Sequence, residues 1–95
     1  MEQLLPLDGL AIEAIQPNPA QGSFSIRLTL ARAGQARLEV FDVAGRVVVE
    51  RELLARGAER QVVDVGDGPA LPPGVYFVRL SQGSRSVASR LVMLH

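Results

Sequence analysis

The side chains that could do chemistry in this chain are few and scattered. His95 is the only histidine and the last residue of the sequence. A general base must be held by a third group within hydrogen-bond reach of its nucleophile, and a chain terminus is poorly placed for that. His95 reads as a surface residue, and no Ser-His-Asp site is expected. The sequence has no cysteine, which excludes disulfides, thiolate zinc sites and thiol catalysis. Asp64, Asp67 and Gly68 resemble a fragment of a calcium loop. An EF-hand loop needs about five ligating positions and a closing glutamate, and neither is here. Gly66 and Gly68 make no phosphate cradle, because no helix start follows them to supply aligned N–H groups. Asp42 and Arg46 could act as a pair, but their spacing across Asp42-Val43-Ala44-Gly45 makes them turn formers first. The expectation is a domain with no catalytic residue, no metal site and no cofactor, and so not an enzyme.

Composition points the same way. Ten basic residues, all arginine, balance ten acidic ones, so the basic face that binds phosphates is missing and nucleic acid is not an expected partner. With 47% hydrophobic and 21% charged residues, the chain has the make-up of one globular domain able to bury its own core. No apolar run approaches the roughly 20 residues of a membrane-spanning helix. No signal peptide opens the sequence; if the protein is exported, that signal is expected on a longer parent chain.

The elements that position these residues read as short strands. Leu71–Leu80 (LPPGVYFVRL) opens on a turn, Pro72-Pro73-Gly74, in which proline presets φ and glycine takes the positive φ that follows. Val75, Tyr76, Phe77, Val78 and Leu80 then make a β-favouring run. This run and Ala36–Asp42 (ARLEVFD) hold three of the chain's four aromatic residues, and both are expected as central strands. Phe24–Leu30 alternates cleanly, with Phe24, Ile26, Leu28 and Leu30 on one face and Ser25, Arg27 and Thr29 on a wet one. Leu10–Ile15 is a weaker first strand. Pro17-Asn18-Pro19 forces an extended turn after it.

Asp42-Val43-Ala44-Gly45 is a type I turn with a glycine bulge, closing a hairpin into Arg46–Glu52. Glu50–Gln61 contains good helix formers, but Gly57 costs about 1 kcal/mol in a helix interior and no capping residue precedes the run. A strand ending near Leu54, a loop through Gly57 and a strand at Arg60–Val65 are expected instead. Gly66–Ala70 is a loop, and Ser81–Ser84 closes another hairpin. In Arg85–Leu94, Val87, Ser89, Leu91 and Met93 alternate against Ser86, Ala88, Arg90, Val92 and Leu94. Both faces turn apolar at the end, so this strand should be covered on both sides or expose a patch that something binds. If it lies at a sheet edge, it could also pair with a second copy. The sum is an all-β, immunoglobulin-like antiparallel β-sandwich of about seven strands over residues 10–95, behind a lead-in at 1–9.

Five pieces in order carry a family resemblance: Pro17-Asn18-Pro19; Gly22 with Phe24–Leu30; Leu38–Arg46 with its Asp42, Gly45 and Arg46; Leu71–Leu80 with its Gly74, Tyr76 and Phe77; and the apolar Arg90-Leu91-Val92-Met93-Leu94. Together they resemble the type A C-terminal sorting domain of proteins exported by the type IX secretion system of Bacteroidetes and related bacteria. The resemblance implies a domain behind a larger cargo protein, recognised when folded by the secretion machinery at the outer membrane. It also implies a sortase that cuts within or upstream of Met1–Gly9 and anchors the cargo to lipopolysaccharide. The signal itself would lie in Arg90–Leu94 with His95, where the family usually ends in a basic residue. On this basis Leu91, Met93 and Leu94 are expected to serve export, and Gly45, Gly74 and Tyr76 the fold. The immunoglobulin-like module of flagellar hook-capping proteins has similar turns, and an accessory binding domain of an extracellular enzyme is a third reading.

Overall fold

The computed structural model describes residues 9–66 and 71–94. Seven strands follow in chain order: β1 (Ala11–Gln16), β2 (Phe24–Leu30), β3 (Gly34–Phe41), β4 (Val47–Ala55), β5 (Glu59–Val65), β6 (Gly74–Gln82) and β7 (Arg85–Met93). They form two antiparallel sheets, β1-β2-β5 and β4-β3-β6-β7. The chain changes sheet after β2, β4 and β5, so the two layers are stitched together three times. This is the expected immunoglobulin-like sandwich, with β3 and β6 at the centre of the larger sheet.

Period-two alternation decides what lies between the layers. Ile26, Leu28 and Leu30 of β2, Leu38 and Val40 of β3, Val78 and Leu80 of β6 and Leu91 of β7 are all below 2% exposed. Each such side chain contributes about 1.5–3 kcal/mol relative to exposure, and together they hold the two sheets face to face. The stretch Glu50–Gln61 forms no helix; β4 runs to Ala55 and β5 begins at Glu59. One expectation on β2 is corrected. Thr29 does not lie on a wet face but is buried, at 2% exposure. Its hydroxyl donates to the Glu13 carboxylate, which Arg60 also reaches from β5, so neighbouring polar side chains cover it.

The turns follow local chemistry. Gly45 has φ +86°, and Gly45 and Arg46 together face Asp42, whose carbonyl accepts from Gly45 N–H and whose N–H donates to the Arg46 carbonyl, as a glycine bulge requires. A second bulge follows, with Val48 the extra residue opposite Val40 and Phe41. Gly83 has φ +63° while Ser84 stays negative, which makes Gly83-Ser84 a type II′ turn between β6 and β7. The buried Gln82 ties this turn to the β2–β3 connection. Its amide donates to the Arg32 carbonyl and its oxygen accepts from Ala31 N–H. The loop residues 67–70, with Asp67 and Gly68, lie outside the described residues.

Candidate functional site

β7 is the outermost strand of its sheet, and its pairing with β6 runs without a slip from Gly74↔Met93 to Gln82↔Arg85. Unbroken pairing means unbroken alternation. Leu91 and Met93 turn into the core, at 0% and 3% exposure. Ser86, Ala88, Arg90, Val92 and Leu94 put their side chains on the outer face and their N–H and C=O groups on the free edge.

The far end of that edge is not free. The chain comes back to it at the Pro17-Asn18-Pro19 turn, where the Gln16–Pro17 and Asn18–Pro19 peptide bonds are both cis. The Asn18 side chain spans two positions of β7. Its amide NH2 donates to the Arg90 carbonyl at 2.9 Å, and its oxygen accepts from Val92 N–H at 3.0 Å. Ala20, fully buried, continues the pairing in parallel. Its N–H donates to the Val92 carbonyl at 2.8 Å, and its carbonyl accepts from Leu94 N–H at 2.7 Å. Four successive outward groups of β7 are thus satisfied by residues 18–20, which acts as a clamp on the strand end.

The clamp joins the first and last motifs of the sequence into one unit. It also divides Arg90–Leu94 into two sets. Leu91 and Met93 are core side chains that a partner cannot touch in the folded domain. Arg90, half-buried Val92 and Leu94, which is 46% exposed, present themselves outward. His95 lies outside the described residues.

The middle motifs build turns and an outer face. Asp42 Oδ1 accepts from the N–H groups of Ala44 and Arg46, and Oδ2 pairs with Arg46 Nε at 2.9 Å. Hydrogen bonding from the Arg46 backbone, helped by that of Ala44 and by the guanidinium, holds the Asp42 carboxyl below its ordinary range. Gly74 opens β6 with φ +150°. Tyr76 sends its hydroxyl back to the Pro72 carbonyl at 2.6 Å, the tyrosine corner of immunoglobulin-like sandwiches. Phe77 points outward at 43% exposure. Beside it Arg79 lies 4.7 Å over the Phe41 ring and pairs with the buried Glu39 carboxylate at 2.9 Å. Phe41, Asp42, Val43, Gly45, Phe77, Arg79 and Ala88 enclose a shallow groove of about 430 Å³.

Sequence reasoning marked Pro17, Asn18 and Pro19 but not what they hold, and it missed Ala20, Glu39 and Gln82. An alanine among turn formers and a glutamine before a glycine give no signal. Glu39 did alternate with core residues, yet its pairing with Arg79 depends on β3 lying beside β6. Among the described residues, no three of His, Cys, Asp and Glu group to hold a metal ion. What the arrangement can do is present a strand end of fixed shape.

A family model described as a secretion system C-terminal sorting domain matches residues 14–94. No curated protein matches the chain, and neither does any solved structure.

Proposed function

This chain belongs to the secretion system C-terminal sorting domain family, and from that membership we infer how it addresses its cargo. The domain is a sorting signal for type IX secretion, which leads to the outer membrane, the cell surface or the medium. In the route we propose, a cargo joined ahead of β1 crosses into the periplasm, where the domain folds. The secretion machinery then binds the folded domain, and an outer-membrane sortase cuts within or upstream of Met1–Gly9. The domain catalyses nothing itself; its work is to be recognised.

The observation that carries this mechanism is the division of the last strand. The clamp fixes Arg90, Val92 and Leu94 in one outward arrangement through the Arg90 carbonyl, both backbone groups of Val92 and the Leu94 N–H. We therefore assign the signal to these three side chains, and Leu91 and Met93 to the fold on which it is displayed. Removing Arg90–His95 would take away two core side chains together with the signal, and so would confuse unfolding with loss of address. A cleaner test is a fluorescent reporter, with a signal peptide, fused ahead of the whole chain in a type IX-competent bacterium. The triple variant Arg90→Ser/Val92→Thr/Leu94→Ser should leave the melting temperature nearly unchanged and strand the reporter in the periplasm. Surface display equal to the parent would remove the signal from these residues.

A further inference from the structure

The clamp covers only the end of the β7 edge. Because the groups on that edge alternate without interruption, the N–H and C=O of Ser86 and Ala88 and the N–H of Arg90 point outward as well. Among the described residues none of these groups has a partner. The same edge has already accepted Ala20 in parallel pairing, so its geometry suits strand addition. The groove at Phe41, Val43 and Phe77 reaches this stretch at Ala88, whose small side chain leaves the way from edge to groove open. Charge marks the ends. Arg85 and Arg90 are exposed at the two ends of the stretch and, like Arg27, Arg32, Arg51 and Arg56, have no carboxylate partner for the guanidinium among the described residues.

Of the other three edges, β1 is broken by a register slip between Ile12 and Ala14, β4 carries Glu50, Arg51 and Glu52 in succession, and β5 carries Glu59 and Arg60 at one end and Asp64 at the other, the charged dressing that discourages pairing.

We propose that Ser86–Arg90 of β7 takes up an extended strand of the secretion machinery, with an apolar side chain leaning over Ala88 into the groove and acidic side chains opposite Arg85 and Arg90. Backbone pairing supplies affinity in such strand addition, and the pocket and charges supply choice of partner. The proposal rests on the sorting role and adds a second contact to it, separate from the side chains of Arg90, Val92 and Leu94 as a group.

The test uses the same reporter fusion. Ala88→Pro removes an N–H that the β6 ladder does not use, a position where an edge strand accepts proline. Arg85→Glu reverses the charge at the end of the stretch that the three signal side chains do not share, and leaves the backbone alone. Both variants are expected to lower surface reporter about tenfold or more, with thermal unfolding close to the parent's. If Ala88→Pro fails to fold, the charge reversal carries the test. With purified domain, a short peptide of the pattern Glu-Thr-Val-Thr-Thr-Glu, which in antiparallel pairing sets valine over Ala88 and glutamates opposite Arg90 and Arg85, should shift the amide resonances of Ser86, Ala88 and Arg90, and Ala88→Pro should abolish the shifts. Export of the folded variants at the parent's level would overturn the proposal and leave the sorting role standing. No export of the parent fusion would instead overturn the sorting role and this contact with it. A dimer of the purified domain that Ala88→Pro dissolves would make a second copy the occupant, and would also overturn the proposal.

Discussion

Replacing Asn18 by alanine removes the two hydrogen bonds to Arg90 and Val92 while leaving the Ala20 pairing in place. A net hydrogen bond is worth about 0.5–1.5 kcal/mol. These two border solvent, where water takes over part of their role, so about 1–1.5 kcal/mol together is expected. In a domain of this size each kcal/mol moves the melting temperature by roughly 4–8 °C, which gives a fall of roughly 5–10 °C. The loss should also be local. Hydrogen exchange at the Val92 amide should quicken roughly tenfold under native conditions, while amides at the centre of β3 follow only global unfolding. Asn18→Asp sharpens the test. It keeps an acceptor for Val92 N–H but sets a carboxylate oxygen against the Arg90 carbonyl, so at neutral pH it should destabilise at least as much as alanine. Thermal unfolding by circular dichroism and exchange followed by NMR would measure both effects. An unchanged melting temperature together with unchanged Val92 exchange in Asn18→Ala would refute the clamp as a source of stability.

Three further outcomes follow from the turns. Tyr76→Phe loses only the bond to the Pro72 carbonyl, and the urea midpoint should fall by about 1 kcal/mol equivalent with an unchanged slope. At Gly74 an added Cβ meets no atom within 4 Å, so the whole penalty of Gly74→Ala comes from its φ of +150°. Roughly 1–3 kcal/mol is expected by denaturant titration, and no loss would mean that the β6 opening is wrongly described. Asp42 has a folded pKa below its unfolded one. Its contribution is therefore complete above the unfolded value of about 4 and is lost as pH falls through the folded value. Asp42→Asn should be less stable than the parent at pH 7, and the gap should narrow below about pH 4 in acid titrations of unfolding.

Much of the fold was legible because burial imposes a period of two. Phe24–Leu30 and Arg85–Leu94 announced themselves once one face had to be apolar, and Asp42 with Gly45 fixed a hairpin through local backbone chemistry alone. Thr29 escaped because what covers it, Glu13 and Arg60, comes from two other strands. The same physics separates the two halves of the site. That Arg90–Leu94 was apolar on both faces could be read directly, but which face meets solvent could not, since Leu91 and Leu94 are chemically alike. The clamp was least visible of all. An asparagine between two prolines reads as a turn, and its hydrogen bonds reach 72 and 74 positions along the chain, where no local pattern points.

That distance has a consequence in time. Residues 18–20 are made before their partners on β7, so no nascent fragment that stops before Arg90 can close the clamp or supply Leu91 and Met93 to the core. Pairings so remote in sequence also close slowly, because the loop entropy must be met before any contact forms. The domain thus behaves as a seal applied at completion. A chain broken off between β6 and β7 would carry most of the strands and still lack the finished mark.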